Sequence, residues 1–131
     1  MTTEQQDVLA DFYQGNDKNL LVTILKPDDT PKDLTGGELT YVWMTDKYVE
    51  VLRKSSLVGT EIELVAPANG VCTVHLDGKD TLSLYGTYYH HLNLVDASGV
   101  EETVLTGRIN VFRTKAIRQR ASLIHAYLAG G

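Results

Sequence analysis

One cysteine, Cys72, stands in 131 residues, so no internal disulfide can form and packing alone must hold the fold. That usage fits folding in a reducing compartment. No stretch approaches the ~18 apolar residues of a membrane-spanning helix. The opening MTTEQQDVLADFY carries acids where a signal peptide would carry a basic start and an apolar run. The expectation is a protein made and used without signal-led export and without a membrane. Also missing are Cys-x-x-Cys and His-x-x-x-His spacings, a Gly-x-Ser-x-Gly elbow, a phosphate-binding Gly-x-x-x-x-Gly-Lys-Ser/Thr loop and EF-hand spacing. Acids are absent from residues 113–131, which hold Arg113, Lys115, Arg118 and Arg120.

That last absence makes the net charge of −5 uneven. The tail carries +4, and residues 1–112 carry 8 bases against all 17 acids, or −9. An acidic body with a basic tail points to a tail that meets an acidic surface. The same cations would equally complement a helix C-terminus or stay solvated. A body this acidic argues against nucleic-acid binding, which wants a basic patch interleaved with aromatics.

What is present is a chain long enough for one domain, which at this size buries roughly two-thirds of its unfolded surface. From about residue 19 to 112, short alternating runs are broken by turns. NLLVTILK places Leu20, Val22 and Ile24 on one face; ELTYVWM does the same for Leu39, Tyr41 and Trp43; VCTVHL for Cys72, Val74 and Leu76. YVEVLRK offers Val49 and Leu52 less regularly, and GTEIELVA is short. PDDTPKD and PANG read as turns, and DGKDTLSLYG as a loop with one helical turn. DASG between two apolar runs reads as a hairpin. Some seven short strands with no long helix between them predict an all-β antiparallel sandwich over residues 12–113. Residues 1–11 are expected as an arm or a short helix, with Thr3 and Gln6 in capping-box positions. In residues 114–131, Ile117, Ala121, Ile124 and Leu128 share one helical face, which predicts a C-terminal amphipathic helix. That helix would lie across the sandwich or pack on another chain.

The stretch GTYYHHLNL tests the case for chemistry. Neighbours on a strand point to opposite faces, so His90 and His91 cannot readily hold one metal. Leu92 and Leu94 mark the face of Tyr88 and His90 as the core side, which puts His90 at the core margin, hydrogen-bonded, and His91 outside. Cys72 and His75 likewise diverge. Ser83, His75 and Asp80 make a chance triple rather than a hydrolytic set. Asp28, Asp29 and Asp33 are explained by turn chemistry more simply than by calcium. Tyr13, Tyr48, Tyr85 and Tyr89 could stack on sugars, although tyrosine also fills sheet surfaces well. No catalytic residue, metal or cofactor is expected.

The order of short motifs adds a resemblance. Gly15-Asn16-Asp17 leads into NLLVTIL; Pro31 and Asp33-Leu34-Thr35-Gly36 lead into LTYVW; Asn69-Gly70-Val71, Asp80-Thr81, Gly86-Thr87-Tyr88-Tyr89 and Asp96-Ala-Ser-Gly99 follow. Over about residues 12–113 this resembles the immunoglobulin-like N-terminal domain of phage baseplate upper proteins and related tail-fibre and virion proteins. In that pattern Asp33 and Thr35 shape a turn, Leu34 plugs the core, Gly36 enters the next strand, and Tyr88 stands as the tyrosine corner does. The resemblance implies an immunoglobulin-like sandwich and a virion structural role, with no catalytic residue to carry over. Unlike the baseplate proteins, this sequence has no long fibre or receptor-binding region after the domain. Tail, baseplate or fibre attachment, head–tail joining and capsid decoration all remain open.

The expectation is therefore a multi-copy or homo-oligomeric virion protein, assembled in the host cytoplasm on capsid, portal, tail or fibre subunits. The terminal helix would dock through Ile117, Ile124, Tyr127 and Leu128, with Arg118 and Arg120 at the rim. A carbohydrate-binding module used in host attachment is the alternative.

Overall fold

The computed structural model describes residues 11–113 and the backbone of one further strand, Thr2–Gln5. The strands are β1 (Thr2–Gln5), β2 (Asp11–Tyr13), β3 (Lys18–Leu25), β4 (Glu38–Met44), β5 (Glu50–Ser55), β6 (Ile62–Ala66), β7 (Val71–Leu76), β8 (Gly86–Val95) and β9 (Glu101–Phe112), with a one-turn helix α1 (Gly78–Thr81) before β8. They form two sheets, ordered β1-β3-β7-β6 and β2-β9-β8-β4-β5. Neighbours are antiparallel except β2, which runs parallel to β9. Labelled in the usual way, the first sheet is A-B-E-D and the second is G-F-C with an added C′ strand. That is the strand order of an immunoglobulin-like sandwich. The first strand of the fold is divided between the sheets, β1 pairing with β3 and β2 with β9.

Thr2–Gln5 corrects the reading of an arm or short helix. Thr2 and Thr3 are β-branched, and pairing with β3 satisfies backbone groups that an edge would leave open. The predicted C-terminal helix over residues 114–131 lies outside the described residues.

The alternation read from sequence is the alternation seen. Leu20, Val22 and Ile24, Leu39, Tyr41 and Trp43, Cys72, Val74 and Leu76, and Leu92 and Leu94 all face one core between the sheets. Burial pushes the Cys72 thiol up to about 12, so it stays protonated and packs as a small hydrophobe. Strand β5 departs from the reading. Tyr48 has a left-handed backbone (φ 61°) and the register slips between Trp43 and Met44, so Val49 is exposed while Leu52 packs inward. Plain alternation from Leu52 aims Lys54, opposite Tyr41, into the molecule, where its Nζ lies 2.8 Å from the Asp80 carboxylate of α1.

Loops gather at two ends. At one end, the β3–β4 loop meets the turn Pro67–Asn69: Leu34 N donates to Pro67 O at 2.7 Å and Ile24 N to Gly70 O at 2.9 Å. The β8–β9 turn closes the same end, with Lys32 Nζ 3.8 Å from both Asp96 and Glu102. At the other end the β2–β3 turn sits on α1. Gly15 N donates to Thr81 Oγ1 at 2.9 Å and Gly78 N to Asp17 Oδ1 at 2.6 Å. The β4–β5 turn is also at that second end, and β9 finishes there.

Candidate functional site

His90 and His91 point to opposite faces. His90 is buried, and its Nδ1 lies 2.6 Å from the Tyr41 hydroxyl, which accepts a hydrogen bond from Trp43 Nε1 at 2.9 Å. Indole N–H can only donate. Using the Tyr41 hydroxyl proton then requires Tyr41 to donate to His90 Nδ1, with the imidazole proton on Nε2. Gly107, opposite His90 on β9, gives the ring its room: a Cβ there would stand 2.5 Å from Nε2. This is a polar chain of three side chains inside an apolar core. It holds the centre of the second sheet rather than opening onto a cleft.

Burial lowers the His90 pKa to about 4, and the neighbouring His91 adds to the shift. An unfolded histidine titrates near 6.5. Between these values the unfolded chain binds more protons than the fold. The stabilisation from neutral His90 is thus complete above pH ~6.5 and is lost as pH falls towards 4, by about 3 kcal/mol. An NMR titration of the His90 ring in the folded protein should show a midpoint near 4; a midpoint near 6.5 would refute this account.

The remaining candidates for chemistry are kept apart. His75 Nδ1 lies 2.8 Å from Asn19 Oδ1, and its Nε2 lies 3.5 Å from Glu63. Asp80 is engaged by Lys54 and by Asp77 N. Cys72 is in the core. Among the described residues no three His, Cys, Asp or Glu side chains come together as metal ligands, and no helix among them is long and apolar enough to cross a membrane. Asp28 accepts from Thr30, an Asx turn, as its sequence setting implied.

The motifs behind the family resemblance are used in holding the loops. Asp33 Oδ1 accepts from Thr35 N at 2.9 Å, Leu34 is buried, and Gly36 is left-handed at φ 76°. The Tyr88 hydroxyl bonds back to Tyr85 O at 3.2 Å, the tyrosine-corner arrangement. Asp96 Oδ1 accepts from the Ser98 hydroxyl and from Ser98 N and Val100 N; these bonds, the hydroxyl's first, keep its carboxyl below the usual range.

The exposed aromatic side chains gather at one end. Tyr13, Tyr48, Tyr85 and Tyr89 are far apart in sequence, yet the strand order brings all four to the end where β9 finishes. Tyr13 meets Phe112 with ring centroids 6.0 Å apart. The Arg113 guanidinium lies 4.9 Å over the Tyr85 ring. Across the sheet, Tyr89 pairs with Met44, and these two with Thr45, Asp46 and Tyr48 line a shallow groove of about 330 Å³. Exposures of 54% for Tyr13, 83% for Tyr48, 59% for Tyr85, 42% for Tyr89 and 44% for Phe112 make this an apolar surface without a cover among the described residues. Sequence reasoning named the four tyrosines singly; it missed Phe112, Arg113 and their convergence. The predicted contact residues Ile117, Arg118, Arg120, Ile124, Tyr127 and Leu128 lie outside the described residues.

No family model and no curated protein matches the sequence. Among solved structures, the chain is similar to the Lin-41 filamin domain, at 10% identity and a TM-score of 0.49, covering 86% of this chain and 93% of that one. It is also similar to AggA, the major subunit of aggregative adherence fimbriae type I from Escherichia coli, at 12% identity and a TM-score of 0.33, with the same coverage of 86% and 93%. At these values neither neighbour says what this chain binds.

Proposed function

We propose that the chain is a structural module for protein–protein assembly within a tailed-phage particle, present in many copies and made in the host cytoplasm. Its position there is tail or baseplate, fibre attachment, head–tail junction or capsid surface. The observation that carries the reading is the division of labour in the fold. Polar motif residues are engaged in loops, the buried polar chain is enclosed, and the exposed aromatics gather at an end uncovered among the described residues. The motif order that resembles phage virion domains supplies the particle. In this reading residues 114–131 form the amphipathic helix that their periodicity predicts, and Ile117, Ile124, Tyr127 and Leu128 dock with Arg118 and Arg120 at the rim.

Removing residues 115–131 should abolish incorporation into particles while leaving the sandwich folded, since its core lies between Phe12 and Val111. Normal incorporation of the shortened chain would exclude the segment as the attachment device. A second reading, a carbohydrate-binding surface, is favoured by one observation: Tyr48 and Tyr89 line the same groove. A glycan array that detects binding lost in Tyr48→Ala and Tyr89→Ala variants would support it over assembly.

A further inference from the structure

We propose that the aromatic end of the sandwich is the seat for residues 117–128 of a second copy of this chain. The inference rests on the assembly reading and names the partner of that surface.

Four observations lead to it. The first is place. Strand β9 ends at Phe112, within the patch, and the guanidinium of Arg113 already covers one of its rings. Eighteen residues, 114–131, follow at that point. The second is size. From β9 through β8 and β4 to β5 is three strand spacings, roughly 14 Å. A helix over residues 117–128 would be roughly 17 Å long, with Ile117, Ala121, Ile124 and Leu128 along one side. That length lets one apolar stripe span the surface from Phe112 on β9 to the groove beside Tyr89 and Tyr48.

Charge is the third. The segment holds Lys115, Arg118 and Arg120 and no acid, while residues 1–112 carry −9. Asp46 lines the groove itself, a counter-charge at the rim of the apolar seat. The fourth separates a neighbour from the chain's own tail. Elsewhere each tight reversal uses turn chemistry, as in Gly15-Asn16-Asp17, Asn69-Gly70 and Asp96–Gly99. Arg113–Arg120 reads RTKAIRQR, with no Gly, Pro, Asn or Asp to fold the segment back onto its own sheet. A seat on a second copy needs no such reversal.

The test uses two full-length variants and sedimentation of the purified protein over a range of concentrations. Tyr48→Ser with Tyr89→Ser spoils the seat; Ile124→Asp with Leu128→Asp spoils the segment. The unaltered chain should self-associate, and each variant alone should associate at least roughly thirty-fold more weakly. Mixing the two variants should restore one-to-one pairs, because one still has a good segment and the other a good seat. Only docking between copies gives that complementation. An unaltered chain that stays monomeric at every concentration overturns the proposal, whether the segment proves protease-resistant, seated on its own sandwich, or protease-sensitive, awaiting a different protein. A monomeric chain that still enters particles would leave the assembly reading standing and remove this one alone.

Discussion

Tyr41→Phe, the loss of one oxygen atom, is expected to lower stability by about 3 kcal/mol in urea unfolding. The hydroxyl is the only link between Trp43 Nε1 and His90 Nδ1 in the Trp43–Tyr41–His90 chain. Taking it away leaves two buried polar atoms without that partner, and each such orphan costs roughly 1–3 kcal/mol. The aromatic packing is unchanged, because the Tyr41 ring sits edge-on to His90 at 5.6 Å through its carbon frame. Burial also raises the phenol well above its ordinary range, so the chain is built of neutral groups throughout. A second variant sharpens the result. Adding His90→Leu and Trp43→Phe to Tyr41→Phe removes every polar partner at once and should recover part of the loss. A Tyr41→Phe cost below about 0.5 kcal/mol would show that the hydroxyl carries no net stabilisation.

Gly70→Ala is the second large effect, again about 3 kcal/mol. Gly70 follows the turn Pro67–Asn69 with φ 73°, and a Cβ there would lie 2.4 Å from Ile24 O and 2.9 Å from Lys32 O. Both are backbone atoms; Ile24 O accepts from Lys32 N at 2.9 Å, and Ile24 N donates to Gly70 O, so the two segments are tied to each other and to Gly70. They cannot yield without opening the join between the β3–β4 loop and this turn. Gly99 provides the control. It is also left-handed, at φ 87°, but a Cβ there would meet nothing within 4 Å. Gly99→Ala should therefore cost only the conformational strain, roughly 1 kcal/mol. Thermal unfolding of the two variants measures the difference, and equal losses would show that the contact with Ile24 and Lys32 is not tight.

These two sites mark what the sequence made readable and what it did not. Period-two alternation placed Tyr41 and Trp43 on one face, and His90 with Leu92 and Leu94 on another, because side-chain direction along a strand is local. The Asp33–Gly36 turn, the β8–β9 hairpin and the Tyr88 corner were readable for the same reason: each bond spans only a few residues. The link between Trp43 and His90 was not readable, since it depends on β4 pairing with β8 in one register. The Lys54–Asp80 pair was hidden more deeply. Lys54 shares the inward face of Leu52, but its partner is a helical turn from elsewhere in the chain, which only the fold brings to it. Nothing local in the strand names Asp80 as that partner. Strand β1 was missed because four residues are too few for periodicity to speak. The four tyrosines were visible one at a time, but their shared end is a property of strand order.

The division of the first strand has a mechanical consequence. Thr2 lies beside Leu25 at one end of the sandwich, while β9 runs to the other and finishes at Phe112. Tension applied between these points pulls β2 and its parallel neighbour β9 lengthwise past each other. Their backbone bonds then bear the load together in shear instead of unzipping singly, so the module resists stretching best along the axis on which it is threaded.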